Sequence, residues 1–292
     1  MINYIFHLLN IIGIFSILAI SLDIAIGYTG IFNIAHAALW GIGAYTSGLV
    51  TMHWGIPFWI GILLGGIISS FFSFLLGISV LRVKGDYLAL VTLSFGVIMV
   101  DIGRNWVKFT GGPRGLPGIP YASILGHTIT SPLGFFPIVL CALLITYFLL
   151  KRVIRSPFGR ILESIREDEI ASTCLGINVK KYKVQVFVVS SFFAGIAGSI
   201  YAHYLAFIDP NRFTIMESFQ LISMVIIGGV ASLKGSFIGV ALFIILPELL
   251  RFLKLTSSEI AALRQIIYSL IVVLILIYRP QGIIGRKILL QH

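Results

Sequence analysis

Residues 151–183 read KRVIRSPFGRILESIREDEIASTCLGINVKKYK, and they hold eight of the chain's 21 Lys and Arg residues and four of its 11 acids. Such a charge density excludes the stretch from hydrocarbon, and its length is too small for a separate domain. Ser156-Pro157 opens a helical run expected from about Gly159 to Leu175. Arg166-Glu167-Asp168-Glu169 is its solvated part, Ile165, Ala171 and Leu175 form a narrow apolar edge, and Gly176 closes it as a C-terminal cap. Taken alone, this is a solvated helix between two spans. It is equally a helix shaped to enter a groove on a partner, through Arg166, Glu167, Glu169, Ala171, Leu175 and Gly176.

The sequence around it is of another kind. The chain has 292 residues, of which 58% are hydrophobic and only 11% charged, with a mean hydropathy of +1.03. Soluble domains carry about 25% charged residues, so the solvent for most of this chain is lipid. Apolar stretches fall near 5–26, 31–52, 57–81, 87–109, 132–150, 185–208, 217–232, 236–253 and 265–278. At roughly 20 residues per span they predict an all-α polytopic membrane protein with about eight to ten transmembrane helices, some short or interrupted. The first stretch follows an N-terminus without basic residues and reads as a retained span rather than a cleaved leader. Cys141 and Cys174 fall in different environments and predict neither a disulfide nor a metal site.

Orientation follows from the basic residues. Residues 151–184 and the tail with Arg279, Arg286 and Lys287 are placed in the cytoplasm, and the spans alternate. Arg82, Lys84 and Lys234 then fall inside too, which puts fourteen of the 21 basic residues on the cytoplasmic side. This predicts an N-terminus outside and a C-terminus inside. The net charge of +10 is thereby used by the membrane, and no soluble basic domain remains to hold nucleic acid.

Two apolar stretches are rich in glycine and small polar residues. One runs from Gly27 through Gly30, Asn33 and His36 to Gly41, Gly43 and Tyr45; the other holds Gly228, Gly229, Gly235 and Gly239. Glycine at membrane depth permits close helix packing, or a break in the helix where it lines a cavity. Both readings stay open, and Gly30, Asn33, His36, Gly41, Gly43, Tyr45, Gly228, Gly229 and Gly235 are candidates for a translocation pathway. His36 is a candidate functional group and, as a lone histidine, equally a hydrogen-bonded tie between helices. Asp101 and Arg104, three residues apart, are expected to pair. Residues 110–120 contain three prolines and four glycines and predict a turn-rich external loop over 110–131.

The chain contains no Gly-Lys pair, so no phosphate-binding loop of the Gly-x4-Gly-Lys type is present. No His-Glu-x-x-His, no Gly-x-Ser-x-Gly and no chain of acids or histidines through the spans occurs either. These absences weigh against a catalytic site, a metal or cofactor, and a self-contained proton-coupled transporter. They turn the reading of the 165–176 helix toward docking.

The runs GYTGIFNIAHAALWGIGAYTSGL (27–49), LRVKGDYLALVTLSFG (81–96), NWVKFTGGPRGLPGIP (105–120), SPFGRILESIREDEIASTCLGINVKKYK (156–183), FFAGIAGSIYAH (192–203), MVIIGGVASLKGSFIGVAL (224–242) and YRPQGIIG (278–285) occur in that order. With them the chain resembles the LivM-type permease subunits of ABC importers for branched-chain amino acids. The Glu-Ala-Ala…Gly permease signature survives as Glu169-Ile170-Ala171 with Gly176 seven residues after the glutamate. The resemblance implies one transmembrane permease domain over 1–292 in the cell inner membrane of a prokaryote. It implies a LivH-like second permease, two cytosolic ABC ATPase subunits that hydrolyse the ATP, and an extracytoplasmic binding protein. The cargo would be a branched-chain amino acid moved by alternating access; urea, short amides or other amino acids are the alternative cargoes.

Overall fold

The first apolar stretch becomes α1 (Ile2–Thr29), and the rest of the fold is built around it. Beyond Ile11 nearly every side chain of α1 is buried, as its lack of a polar stripe requires, and α6, α9, α10 and α11 pack on it. The computed structural model describes residues 2–80, 86–124 and 127–250, together with 263, 266, 270, 273, 274, 277 and 282–284. Arg82, Lys84, most of the stretch 265–278, and the tail with Arg279, Arg286 and Lys287 lie outside the described residues.

The helices follow in order: α2 (His36–Trp54), α3 (Phe58–Val80), α4 (Asp86–Asn105), the short α5 (Val107–Thr110), α6 (Pro132–Arg155), α7 (Pro157–Glu167), α8 (Glu169–Cys174), α9 (Val179–Leu205), α10 (Ile215–Gly228) and α11 (Leu233–Leu250). Among the described residues five helices are long and apolar enough to cross a membrane: α1, α3, α4, α6 and α9. α10 and α11 satisfy the same test only as a pair, bent by 118° at the break between them, and bring the total to six. The eight to ten spans expected counted 217–232 and 236–253 separately. They also counted the stretch of α2, whose 19 residues include His36, Thr46, Ser47, Thr51 and His53. α2 tolerates these polar groups because α3 and α9 shield it from lipid.

α2, α3 and α9 cross at glycine. A Cβ on Gly195 would lie 2.5 Å from the carbonyl oxygen of Gly65 and 2.9 Å from the Cα of Gly66, so the backbones of α3 and α9 touch. Gly43 of α2 sits against the Gly195 backbone in the same way. Inside a bilayer, close van der Waals packing replaces the hydrophobic effect as the force between helices, and small residues make it possible.

The 110–131 segment, expected as a turn-rich loop, carries a 3-10 turn (Gly112–Arg114) and short strands that hold it down. β1 (Leu116–Pro117) pairs antiparallel with β4 (Phe207–Ile208), and β2 (Ser123–Ile124) with β3 (His127–Thr128). The buried His203 of α9 donates from Nδ1 to the Pro120 carbonyl at 2.7 Å and accepts at Nε2 from the Ser47 hydroxyl at 2.9 Å. Arg104 does face Asp101, at 3.7 Å, but both are well exposed and the contact is loose. Its shorter bonds, 2.8 and 3.1 Å, run to the Asn211 side-chain oxygen.

Candidate functional site

The polar stretch 151–183 leaves the bundle as two helices rather than one. α7 ends at Glu167; Asp168 adopts an extended conformation, and its Oδ1 accepts from the backbone N–H groups of Ile170 and Ala171 at 2.8 and 2.9 Å. It is therefore the N-cap of α8, and a residue that caps a helix cannot continue the one before it. The single helix expected over 159–175 is corrected to α7 plus α8 by that one side chain. Gly176 closes α8 at φ 83°, with its N–H bonded to Thr173 and that of Ile177 to Ser172, the double bond of a Schellman cap.

The break redistributes the candidate docking residues. Ile165 is only 4% exposed and packs inward, so it is no part of a partner-facing edge. Arg166 also turns inward, its guanidinium donating to the Gly27 carbonyl at the end of α1. Burial pulls the Arg166 guanidinium below its ordinary value, and the charge of nearby Asp23 opposes that shift. Glu167, Glu169, Ala171, Leu175 and Gly176 stay exposed, with Glu169 bonded to Lys183 at 2.6 Å. The apolar face of α8 is Ile170, 77% exposed, together with Leu175, 78% exposed. Ile170 was not among the residues singled out, because a continuous helix would have placed it on another side.

Eight of the nine pathway candidates fall into three groups. Gly41 and Tyr45 line a cavity of about 620 Å³ between α2, α3, α4 and the 3-10 turn Pro210–Phe213, walled also by Ile42, Leu49, Leu64 and Met99. Polar side chains on its wall are few: Tyr45, whose buried hydroxyl lacks a hydrogen-bond partner among the described residues, Thr46, His53, Thr110 and the indoles of Trp54 and Trp106. Gly30, Asn33 and His36 form the α1–α2 connection. Gly30 ends α1 at φ 70°, and Asn33 Oδ1 accepts from the Ala35 N–H at 3.1 Å. The fully buried His36 directs Nε2–H at the Leu18 carbonyl, 3.2 Å, and at Ser21 Oγ, 3.1 Å, which ties α2 to α1. Among the described residues its Nδ1 has no hydrogen-bond partner.

Gly228, Gly229 and Gly235 form the third group, at the α10–α11 break. A Cβ on Gly235 would lie 2.6 Å from the Gly228 carbonyl oxygen, so the helix ends touch, and Gly229 takes φ 121°. Gly43, the ninth candidate, belongs to the helix crossing, against the backbone of Gly195. Sequence inspection did not reveal that α1 grips this break: Asp23 Oδ1 accepts from the Ala231 N–H at 2.9 Å, and the Tyr28 hydroxyl donates to the Ala231 carbonyl at 3.0 Å. No local pattern signals a contact between residues 208 positions apart. Asp23, an acid in an apolar span, was the one available sign.

Comparison with known proteins places this architecture. The family model described as branched-chain amino acid transport system / permease component matches residues 4–278. The LivM permease protein of the high-affinity branched-chain amino acid transport system of Salmonella typhimurium is 32% identical over 93% of this chain and 68% of its own length. LivM of Escherichia coli is 31% identical over the same shares. LivH of Escherichia coli, the permease protein of the same kind of system, is 25% identical over 93% of this chain and 91% of its own. No solved structure matches. With a helical, multi-pass bundle on the one hand and a family match along almost its whole length on the other, the chain belongs to the permease components of branched-chain amino acid transport systems.

Proposed function

We propose that the protein is a permease subunit of an ATP-driven importer and carries branched-chain, aliphatic amino acids into the cytoplasm by alternating access. The observation that carries the reading is the α7–α8 pair, a polar outgrowth of a lipid-dwelling bundle that ends in two fully displayed aliphatic side chains, Ile170 and Leu175. Large apolar side chains set on a charged helix suit insertion into a groove, and with no phosphate-binding loop in the sequence that groove belongs to a separate ATPase. Two such ATPase subunits act beneath this chain and a LivH-like second permease. An extracytoplasmic binding protein delivers substrate at the opposite end, where 110–131 is stapled down. The α7–α8 end and the C-terminus face the cytoplasm and the N-terminus faces out.

The cavity beside Gly41 and Tyr45 fits an aliphatic side chain but offers little to a zwitterion's two charges. Those charges are met across the interface by the second permease, which is why one permease chain does not suffice. The whole of 1–292 acts as one transmembrane permease domain. The test is reconstitution in liposomes of this chain with its co-purified permease, ATPases and binding protein. Leucine, isoleucine or valine accumulates only with ATP and all components present. Uptake by this chain alone on an ion gradient, or urea in preference to the amino acids, overturns the reading.

A further inference from the structure

Arg166 and the α10–α11 break are joined through the end of α1 by an unbroken series of contacts. Ala231, in the break, holds φ 61°, a left-handed conformation that an alanine avoids unless its surroundings impose it. What imposes it is α1. Both polar groups of Ala231's backbone are engaged, the N–H by Asp23 at 2.9 Å and the carbonyl by Tyr28 at 3.0 Å. Between these two side chains lies Gly27, whose missing Cβ would stand 2.5 Å from the Ala231 nitrogen and 2.9 Å from its Cα. The break therefore rests directly on the backbone of Gly27. The carbonyl of that same Gly27 receives the Arg166 guanidinium.

Backbone bonds also hold the end of α10 at the break. Ile283 and Ile284 donate to the last carbonyls of α10, Ile227 and Gly228, at 3.0 and 2.9 Å. Arg166 stands in the last turn of α7, two residues before the capping Asp168, so force applied to α8 reaches it almost immediately. Arg166 is half-buried and faces the bundle, in a stretch whose neighbours Glu167 and Glu169 face out.

Resting on the importer reading above, we infer that Arg166 is a positioning residue rather than a docking residue: it transmits movement of α7–α8 through Gly27, Asp23 and Tyr28 to the α10–α11 break, where the pathway candidates Gly228, Gly229 and Gly235 lie. The contacts act in series. Weakening Arg166 or Tyr28 leaves ATPase binding intact and lets hydrolysis proceed without transport.

The experiment uses the complete complex in proteoliposomes and reads amino acid transported per ATP hydrolysed, a ratio that a loss of folded protein does not alter. Arg166→Ala and Tyr28→Phe are each expected to lower the ratio about tenfold, as loss of one charge-assisted or buried hydrogen bond implies, with ATPase affinity unchanged. The double variant is expected to be no worse than the worse single one, because links in series fail once. Wild-type ratios in both variants, or a double variant whose defects multiply, overturn the relay. Loss of ATPase affinity in Arg166→Ala also overturns it and returns Arg166 to the dock. Tyr28→Phe, which keeps its ring, decides alone if Arg166→Ala does not assemble. Absence of ATP-dependent uptake by the wild-type complex overturns the importer reading, and the relay with it.

Discussion

Replacing Asp168 by alanine removes the side chain that caps α8 among the described residues. The helix has six residues, far below the roughly 12–15 at which an isolated helix begins to hold itself together, so its order depends on its ends. Its supports are few. The Asp168 carboxylate takes two N–H groups at 2.8 and 2.9 Å, and the Ser164 and Ser172 hydroxyls meet at 2.8 Å. Lys183 reaches Glu169, whose side chain is 51% exposed, so that pair contributes about 1 kcal/mol at most. Loss of an N-cap costs about 1 kcal/mol. Docking selects the ordered α8, so the cost appears as weaker binding, and 1 kcal/mol corresponds to about a fivefold higher dissociation constant. The assay is binding of the purified ATPase to the permease complex in nanodiscs. Asp168→Asn keeps the acceptor oxygen and drops the charge, and is expected to bind within about twofold of wild type, since the two residues cap equally well. Wild-type affinity in Asp168→Ala refutes the reasoning. An Asp168→Asn variant as weak as the alanine one assigns the effect to charge and refutes it too.

Three further outcomes are expected. Gly43→Val forces a branched side chain into the Gly195 backbone and should cost about 3 kcal/mol or more, beyond ordinary overpacking because no flexible side chain can yield; thermal unfolding in detergent reads the loss, and a wild-type melting temperature would sink the crossing as described. Ile42→Trp fills the cavity wall at a half-buried position and should abolish amino acid uptake while ATPase binding persists, whereas normal uptake would move the pathway elsewhere. His203→Ala leaves the Ser47 hydroxyl and the Pro120 carbonyl unmatched, at about 1–3 kcal/mol, and should speed tryptic cleavage at the exposed Arg114 in the loop that His203 staples; an unchanged cleavage rate would show that the β1–β4 pairing alone holds the loop.

The sequence by itself determined the solvent, the class of fold and the position of the one long polar segment. Those are sums over many side chains: apolar stretches of span length, basic residues beside them, and one segment too charged for lipid. It also located the two glycine-rich stretches and the lone His36. It did not separate packing from pathway within them, because glycine serves close approach and an open wall equally well. The tertiary structure supplied the neighbours, setting Gly43 against the Gly195 backbone and Gly41 against Phe213 at the wall of a cavity. It split the polar helix at Asp168, where one capping side chain outweighed the helical propensity around it. It turned Arg166 from the surface, where its charge suggested it would lie, to the carbonyl of Gly27. Contacts such as Asp23 with Ala231 have no local signature, since they arise only when distant backbones meet, and there the fold alone decides which polar group is matched.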